Sequence, residues 1–129
     1  MAQSRFNDIS IKGICSAVPK GIVDNFESHN FVVAEEKKKM IKLTGMRQYR
    51  KATDGLCASD LCKRAAEELF KKSDIKPADI DAVLFVTQTP DYRLPSTACI
   101  IQHELGCPQT AIAFDMNLGC SGYVYGLYV

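Results

Sequence analysis

The sequence predicts an α/β fold in which the sheet is mixed but largely parallel and helices flank it. Two short apolar runs, residues 82–86 and 111–114, show no polar alternation, which is typical of strands buried on both faces of a parallel sheet. Segments of helical periodicity alternate with these runs, the order expected of βαβ units. The 129 residues are 47% hydrophobic and 24% charged, a composition that suits one globular domain over residues 1–129.

The first third of the chain predicts a strand, a helix and a connection. In residues 9–18 the first apolar residues recur two apart and a Pro-Lys-Gly loop follows, so we expect a strand there. Asn25 is a candidate N-cap for a helix over residues 26–43. Gly45 suits the end of that helix, because glycine readily adopts the left-handed conformation. Residues 46–52, rich in Arg and Lys, are interpreted as a connecting segment.

Residues 58–70 carry the clearest helical pattern in the chain. Apolar residues recur there three and four positions apart on one face, and charged residues occupy the other. Cys62 lies on the apolar face, so we expect it in the core. Cys57 is ambiguous from the sequence, although burial as a small hydrophobe is the commoner state of a free thiol.

A third helix is predicted over residues 96–105. Pro95 stands at its start and Gly106 just past its end, the positions these two residues favour. His103 falls on the polar side of this helix, away from Ile101. A single histidine needs partners to build a site, so we interpret His103 as a surface residue.

Charge and cysteine spacing exclude several classes of protein. With 16 basic and 15 acidic residues, the sequence has no excess of positive charge for nucleic acid. No apolar stretch approaches the roughly 20 residues of a membrane span, and the first residues lack the apolar core of a secretory signal, so we expect a cytoplasmic protein. The six cysteines form no C-x-x-C pair and His29 and His103 stand alone, so we expect no metal site.

Cys120 is the candidate catalytic residue. It follows the second buried strand and begins an apolar segment, with Gly119 and Gly122 on either side allowing a tight bend. At the start of a helix, free N–H groups and the macrodipole favour a thiolate and can stabilise an acyl-transfer oxyanion. The G-C-S-G sequence does not match the G-x-S-x-G of serine hydrolases. On spacing alone, a structural cysteine remains the alternative.

The last eight residues, 122–129, contain no charge and no polar face. A helix of this composition is expected to be buried on all sides. At this length a helix is marginal without tertiary support, and termini normally lie at a surface. We therefore expect a domain interrupted just after the helix of Cys120 begins.

Five segments, in this order and at these separations, carry a family resemblance. They are G-I-C-S-A-V-P at 13–19, followed by Asn25; T-G-M-R-Q-Y-R at 44–50; D-I-D-A-V-L-F-V-T-Q-T-P-D-Y at 79–92; L-P-S-T-A-C-I-I-Q-H-E-L-G at 94–106; and A-F-D-M-N-L-G-C-S-G-Y at 113–123. Over nearly its whole length the chain resembles the N-terminal half of β-ketoacyl-acyl carrier protein synthase III, in the thiolase superfamily.

The resemblance implies a thiolase-like fold and an acyltransferase with Cys120 as its nucleophile. In such enzymes the cysteine takes an acyl group from a coenzyme A or carrier-protein thioester. It passes that group to the carbanion formed when malonyl-acyl carrier protein loses carbon dioxide. No permanently bound cofactor is implied. The expected partners are acyl carrier protein and a second copy of the chain, with residues 111–114 compatible with a dimer strand.

The resemblance also assigns substrate-binding positions and departures from the family pattern. The family's decarboxylating histidine and asparagine lie in its C-terminal half, and neither His29 nor His103 matches that histidine. Leu43 stands where relatives that use acetyl-coenzyme A often carry an arginine, and the chain has no Trp to stack on adenine. Arg47 lies in the same substrate-binding segment. Leu94 replaces a phenylalanine that floors the partner's acyl pocket, which indicates a different or longer acyl group, with neutral drift as the alternative.

Two functions of different class follow. The first is a synthase III-type acyltransferase performing decarboxylative Claisen condensation in fatty acid or related lipid or polyketide synthesis, with no condensing activity expected of residues 1–129 alone. The second is a non-catalytic subunit or scaffold that pairs with an active partner. A thiol redox protein is disfavoured by the absence of a resolving C-x-x-C cysteine. The sequence leaves the acyl donor, its chain length and the pathway open.

Overall fold

A computed structural model describes residues 5–28 and 33–129. Its strands and helices, in chain order, are β1 (Gly21–Asp24), α1 (Ala34–Thr44), β2 (Gln48–Lys51), α2 (Ala58–Lys72), β3 (Ala82–Val86), α3 (Thr97–Glu104), β4 (Ile112–Met116) and α4 (Gly122–Tyr128), with a short 3-10 turn at Pro77–Asp79. None of the helices in the described part of the chain is long and apolar enough to cross a membrane.

The central unit is the parallel pair β3 and β4. The two predicted strands pair in parallel, with Ala82 opposite Ile112 and Val86 opposite Met116. Helix α3 packs against both strands, and its Ala98 and Ile101 form the core with Phe85 of β3. The sequence predicted that both faces of these two strands are buried, and the structure shows this only in part. Among the described residues the pair has no third strand, and Ile112 remains 63% exposed.

The second sheet is antiparallel and was not predicted. Strand β1 pairs with β2, with Gly21 opposite Lys51 and Asp24 opposite Gln48. The prediction of a connecting segment over residues 46–52 is therefore wrong. All four residues of β2 are exposed, so no alternation of apolar and polar residues marked it as a strand. Its pairing with β1 is a nonlocal contact that the local sequence does not encode.

Two further predictions in the first third of the chain are wrong. Residues 9–18 form no strand, because among the described residues no strand pairs with them, and Ile9 and Ile14 are 72% and 82% exposed. Asn25 caps no helix. Its side-chain amide donates to the carbonyl of Met46 at 2.8 Å and its backbone N–H to the carbonyl of Arg47 at 2.8 Å, so it joins the end of β1 to the entry of β2.

The helix predicted over residues 26–43 is α1, which begins at Ala34 with Val33 as N-cap. The part of this prediction that covers residues 29–32, His29 included, lies outside the described residues. The predicted end is confirmed. Gly45 has φ +72°, and its N–H donates to the carbonyl of Ile41 at 2.8 Å.

The other two predicted helices are confirmed, with one correction. Helix α2 follows the predicted periodicity, and α3 ends before Gly106, which has φ +71°. His103 is exposed on α3, as predicted. Cys62, predicted to be a core residue, is exposed. It lines a cavity of about 320 Å³ between α2, β3 and α3 that no side chain fills, so the apolar face of α2 is incompletely covered at this position.

Candidate active site

The candidate site lies at the carboxyl edge of the parallel pair. Strands β3 and β4 run in the same direction and end together at Val86 and Met116. The N–H of Thr87 donates to the carbonyl of Met116 at 3.1 Å and extends the pairing by one bond. The loops that follow the two strands therefore emerge side by side. In open α/β sheets this edge is the usual place for ligand binding.

Cys120 occupies a tight turn between β4 and α4. The N–H of Leu118 donates to the carbonyl of Met116 at 2.9 Å, and the N–H of Gly122 to the carbonyl of Gly119 at 2.8 Å. These two bonds bracket the turn and place Cys120 two residues before α4 begins at Gly122. Among the described residues no group accepts a hydrogen bond from the backbone N–H of Cys120 or Ser121. The turn thus combines a thiol with backbone donors that are open to a ligand.

Helix α4 lies against β3 because Gly122 has no side chain. A Cβ at Gly122 would lie 2.5 Å from Cγ1 of Val86, closer than real Cβ atoms approach other atoms. Gly122 is buried although the rest of α4 is largely exposed. The close approach fixes where α4 starts and therefore where the turn of Cys120 stands relative to the sheet.

A cleft of about 440 Å³ opens beside the thiol. Its lining is mostly apolar and comes from β3, the turn and α4: Leu84, Val86, Leu118, Gly119, Cys120, Tyr123, Gly126 and Leu127. Cys120 itself is exposed. An accessible thiol over an apolar cleft can receive an acyl chain, since the cleft shelters the chain while the sulfur meets the carbonyl carbon.

At three of the other cysteines, Cys57, Cys62 and Cys107, the surroundings raise the pKa of the thiol. All six cysteines are free. The negative charge of Asp91 raises the pKa of the Cys57 thiol, with desolvation and Asp60 adding to it. Desolvation, then Asp91, raises the pKa of Cys62, and burial raises that of Cys107. A raised pKa lowers the fraction of thiolate, which is the nucleophilic form, at these three cysteines.

Asp115 fixes the start of α3 beside β4 and was not singled out by the sequence analysis. Its Oδ2 accepts the N–H of Thr97 at 2.7 Å and its Oδ1 the N–H of Ala98 at 2.7 Å. The carboxylate therefore caps the first turn of α3 from the neighbouring strand, where a negative charge is favourable. A single acidic residue inside an apolar strand was the available signal, because such a group needs donors when it leaves water.

The predicted substrate-binding residues do not join the cleft. Leu43 and Leu94 are 84% and 89% exposed, and neither lines the space beside Cys120. Arg47 is engaged elsewhere. Its Nε donates to Asp24 Oδ2 at 2.8 Å and Oδ1 at 3.1 Å, and its guanidinium lies 6.0 Å from the ring centroid of Phe26. The structure thus brings together Cys120 and the apolar cleft, and leaves these three residues apart from it.

The pair of Asp24 and Arg47 fixes the corner between β1 and β2. Desolvation raises the pKa of Asp24, but the N–H of Phe26 and the Arg47 guanidinium outweigh it and leave that pKa below its usual value. The side chain of Asp24 is 13% exposed and that of Arg47 is 61% exposed.

No group of three or more His, Cys, Asp or Glu side chains in residues 5–28 and 33–129 is placed to hold a metal ion.

Comparison with known proteins gives one consistent group of relatives. No protein-family model matches the chain. It is 37% identical over 130 residues to a putative 3-oxoacyl-[acyl-carrier-protein] synthase 3 of Campylobacter jejuni, covering 98% of this chain and 37% of that protein. It is also 37% identical over 119 residues to the β-ketoacyl-[acyl-carrier-protein] synthase III of Caldanaerobacter subterraneus, covering 92% of this chain and 35% of that protein.

Solved structures of related proteins share the fold of this chain. The 3-oxoacyl-(acyl-carrier protein) synthase of Burkholderia xenovorans superposes with a TM-score of 0.85 at 40% identity, over 91% of this chain and 34% of that one. The β-ketoacyl-[acyl carrier protein] synthase III of Thermus thermophilus gives a TM-score of 0.74 at 30% identity, over 89% and 35%. The chain therefore spans little more than a third of the length of the proteins it matches.

Proposed function

The chain is a homologue of the N-terminal portion of β-ketoacyl-acyl carrier protein synthase III, a thiolase-like condensing enzyme, and from this premise we propose that it carries the acyl-accepting nucleophile of such an enzyme. The single observation that carries the proposal is the place of Cys120. Its exposed thiol stands at the carboxyl edge of β3 and β4, over an apolar cleft. We propose further that residues 1–129 form part of one thiolase-like domain.

In the proposed first half-reaction Cys120 is acylated. The Cys120 sulfur, as thiolate, attacks the carbonyl carbon of an acyl-coenzyme A thioester. The tetrahedral intermediate then expels the coenzyme A thiolate, which takes up the proton that Cys120 lost. The open N–H groups of Cys120 and Ser121 support this step, because backbone donors aimed at a developing oxyanion lower the barrier. The apolar cleft receives the acyl chain.

The proposed second half-reaction is a decarboxylative Claisen condensation with malonyl-acyl carrier protein. It needs a proton donor and an oxyanion site for the enolate beyond the one thiol described here. The resemblance assigns those tasks to a histidine and an asparagine that match no position in residues 1–129. Residues 1–129 alone are therefore expected to be inactive, since removal of a cooperating group from a catalytic unit abolishes most of its rate.

A homodimer is proposed through the open edge of β4. Among the described residues no strand pairs with the side of β4 away from β3, and Ile112 at its start is 63% exposed. An open strand edge with apolar side chains favours pairing with a second copy. Ile112→Lys is expected to convert the dimer to a monomer in light scattering. Ile11 is similarly exposed, at 65%, but lies outside β4, so Ile11→Lys should leave the protein dimeric.

Leu94 is proposed to set acyl-chain length across that dimer. It is 89% exposed on the loop before α3, which suits a side chain covered by a partner subunit. Leu43 and Arg47 are proposed to border the coenzyme A site at the end of α1. Leu94→Phe, which fills more of the pocket, is expected to shift preference toward shorter acyl groups, and unchanged relative kcat/KM values would contradict this role.

Release of coenzyme A tests the proposed first step. The complete protein, mixed with acyl-coenzyme A thioesters of graded chain length, is expected to liberate one equivalent of free thiol per chain in a burst. Cys120→Ser should abolish the burst, while Cys57→Ser, a matched control on an exposed thiol, should retain it. A folded dimer that releases no coenzyme A from any of the thioesters would instead favour a non-catalytic subunit or scaffold.

A further inference from the structure

Gln88 and Gly119 fit together at the carboxyl edge of the sheet. Gln88 lies on the loop after β3 and Gly119 on the loop after β4, next to Cys120. A Cβ built on Gly119 would lie 2.9 Å from Nε2, 3.1 Å from Cδ and 3.3 Å from Oε1 of Gln88. The terminal amide of Gln88 thus occupies, with all three of its heavy atoms, the space that a side chain at position 119 would take.

From this fit we propose that Gln88 is the positioning residue of the Cys120 turn. The proposal deepens the acyl-transfer function proposed above and rests on it for its biological meaning. Gly119 has no side chain with which to anchor the turn, and glycine has the widest backbone freedom. The amide of Gln88 packs against the Gly119 backbone in place of that missing side chain and limits how the turn can move. The thiol of Cys120 is thereby kept facing the cleft.

The root of the Gln88 side chain is well placed for this task. The preceding residue, Thr87, is bonded to β4 through its N–H and the Met116 carbonyl at 3.1 Å. The hydroxyl of Thr87 also accepts a hydrogen bond from the N–H of Thr89 at 3.1 Å, which closes a tight local turn around Gln88. These bonds at Thr87 and Thr89 restrain the backbone on both sides of Gln88.

The alternative is that Gln88 is an ordinary exposed polar residue. Its side chain is exposed, and a surface substitution away from any special contact has little effect. The two interpretations differ in one respect. A surface residue gives independent effects at positions 88 and 119, whereas a positioning contact makes them depend on each other.

A double-mutant cycle on thiol reactivity tests the proposal. The variants are Gln88→Ala, Gly119→Ala and the two combined, each in the complete protein, with Gln109→Ala as an exposed glutamine control in the loop before β4. The readout is the second-order rate of iodoacetamide alkylation at Cys120, resolved by peptide mapping with Cys57 as internal reference. Thermal unfolding of each variant is measured alongside.

Either single substitution is expected to slow alkylation of Cys120 by about threefold to tenfold, with no change at Cys57, the scale of coupling between contacting residues. Thermal unfolding should change little, because the amide that Gly119→Ala displaces is the free end of a flexible side chain. The combined variant should be no slower than either single one, since each removes the same contact. Gln109→Ala should match the unsubstituted protein.

Two outcomes would overturn the proposal. One is an unchanged alkylation rate at Cys120 in Gln88→Ala. The other is a combined variant whose slowing equals the product of the two single effects, which marks positions 88 and 119 as independent. Alkylation needs no acyl donor, so a protein that releases no coenzyme A but shows the coupled cycle would contradict the acyl-transfer function and leave the role of Gln88 intact.

Discussion

Substitution of Gly122 by alanine tests whether helix α4 is held against β3 by close backbone approach. An added Cβ at Gly122 would lie 2.5 Å from Val86 Cγ1 and 3.3 Å from Leu118 Cβ, and neither neighbour is the free end of a long side chain. Gly126 supplies a matched control one helical turn later. A Cβ there would lie 3.4 Å from Val86 Cγ2, an ordinary contact distance. Both glycines lie in α4 and both face the same valine.

The two substitutions are expected to differ in sign. Replacing a helical glycine by alanine stabilises by about 0.5–1 kcal/mol, and Gly126→Ala should keep most of this gain. Forcing a methyl group into an occupied space costs about 1–3 kcal/mol, which exceeds that gain at Gly122. We therefore expect Gly122→Ala to lower the free energy of unfolding relative to Gly126→Ala by about 1–3 kcal/mol. Adding Val86→Ala, which removes Cγ1, should reduce this gap.

Urea unfolding monitored by circular dichroism measures these differences in the free energy of unfolding. Alkylation of Cys120 should also change in Gly122→Ala, because the displaced start of α4 carries the turn with it. Equal stability of the two alanine variants would refute the reasoning. So would an unchanged gap after Val86→Ala, since the clash would then not involve that side chain.

Three further predictions concern carboxylates. Asp115→Ala leaves two N–H groups of α3 without an acceptor and should destabilise by about 1–3 kcal/mol in urea unfolding, more than Asp115→Asn, which keeps one acceptor oxygen. The lowered pKa of Asp24 predicts stability that is present above its unfolded value of about 3.9 and is lost as pH falls through the folded pKa. In Asp24→Asn that loss, measured by unfolding across the acid range, should disappear, and an unchanged loss of stability at acid pH would show that folding does not lower the pKa of Asp24. Asp91→Asn should speed alkylation of Cys57 at neutral pH, because the charge that chiefly raises its pKa is removed, and a constant rate would assign the shift to other groups.

The sequence predicted those parts of the fold that local pattern encodes. Helix α2 keeps one apolar face over four turns, and its predicted extent agrees with Ala58–Lys72. Strands β3 and β4 follow from uninterrupted apolar runs, and Gly45 and Gly106 end their helices with positive φ as expected. In each case the signal for the helix or strand lies within one segment, so it can be recognised without knowing which other segment packs against it.

The missed features depend on partners distant in sequence. The polar strand β2 has no internal signal and exists through its pairing with β1. Residues 9–18 have the alternation of a strand but find no strand to pair with among the described residues. Cys62 lies on the predicted apolar face, yet its burial depends on how α2 sits over β3. Periodicity assigns a face to such residues, and tertiary packing decides whether that face is covered.

The candidate site divides in the same way. Cys120 was predicted as the nucleophile because glycines flank it in the sequence and because the resemblance carried by the five segments assigns it that role. Asp115 and Gln88 were not singled out from the sequence, because each contacts a residue in a different segment of the chain. The contact of Asp115 with Thr97 depends on how α3 packs against β4, and the contact of Gln88 with Gly119 depends on the paired ends of β3 and β4.

The most direct test of the account is to locate the acyl group after the complete protein reacts with an acyl-coenzyme A thioester. Peptides from the quenched reaction, mapped by mass spectrometry without reduction, should carry the acyl mass on Cys120 and on none of the other five cysteines. The adduct should disappear on treatment with neutral hydroxylamine, as a thioester does. Acyl mass on Cys57 or Cys15, or an unmodified Cys120 in a folded protein, would contradict the account.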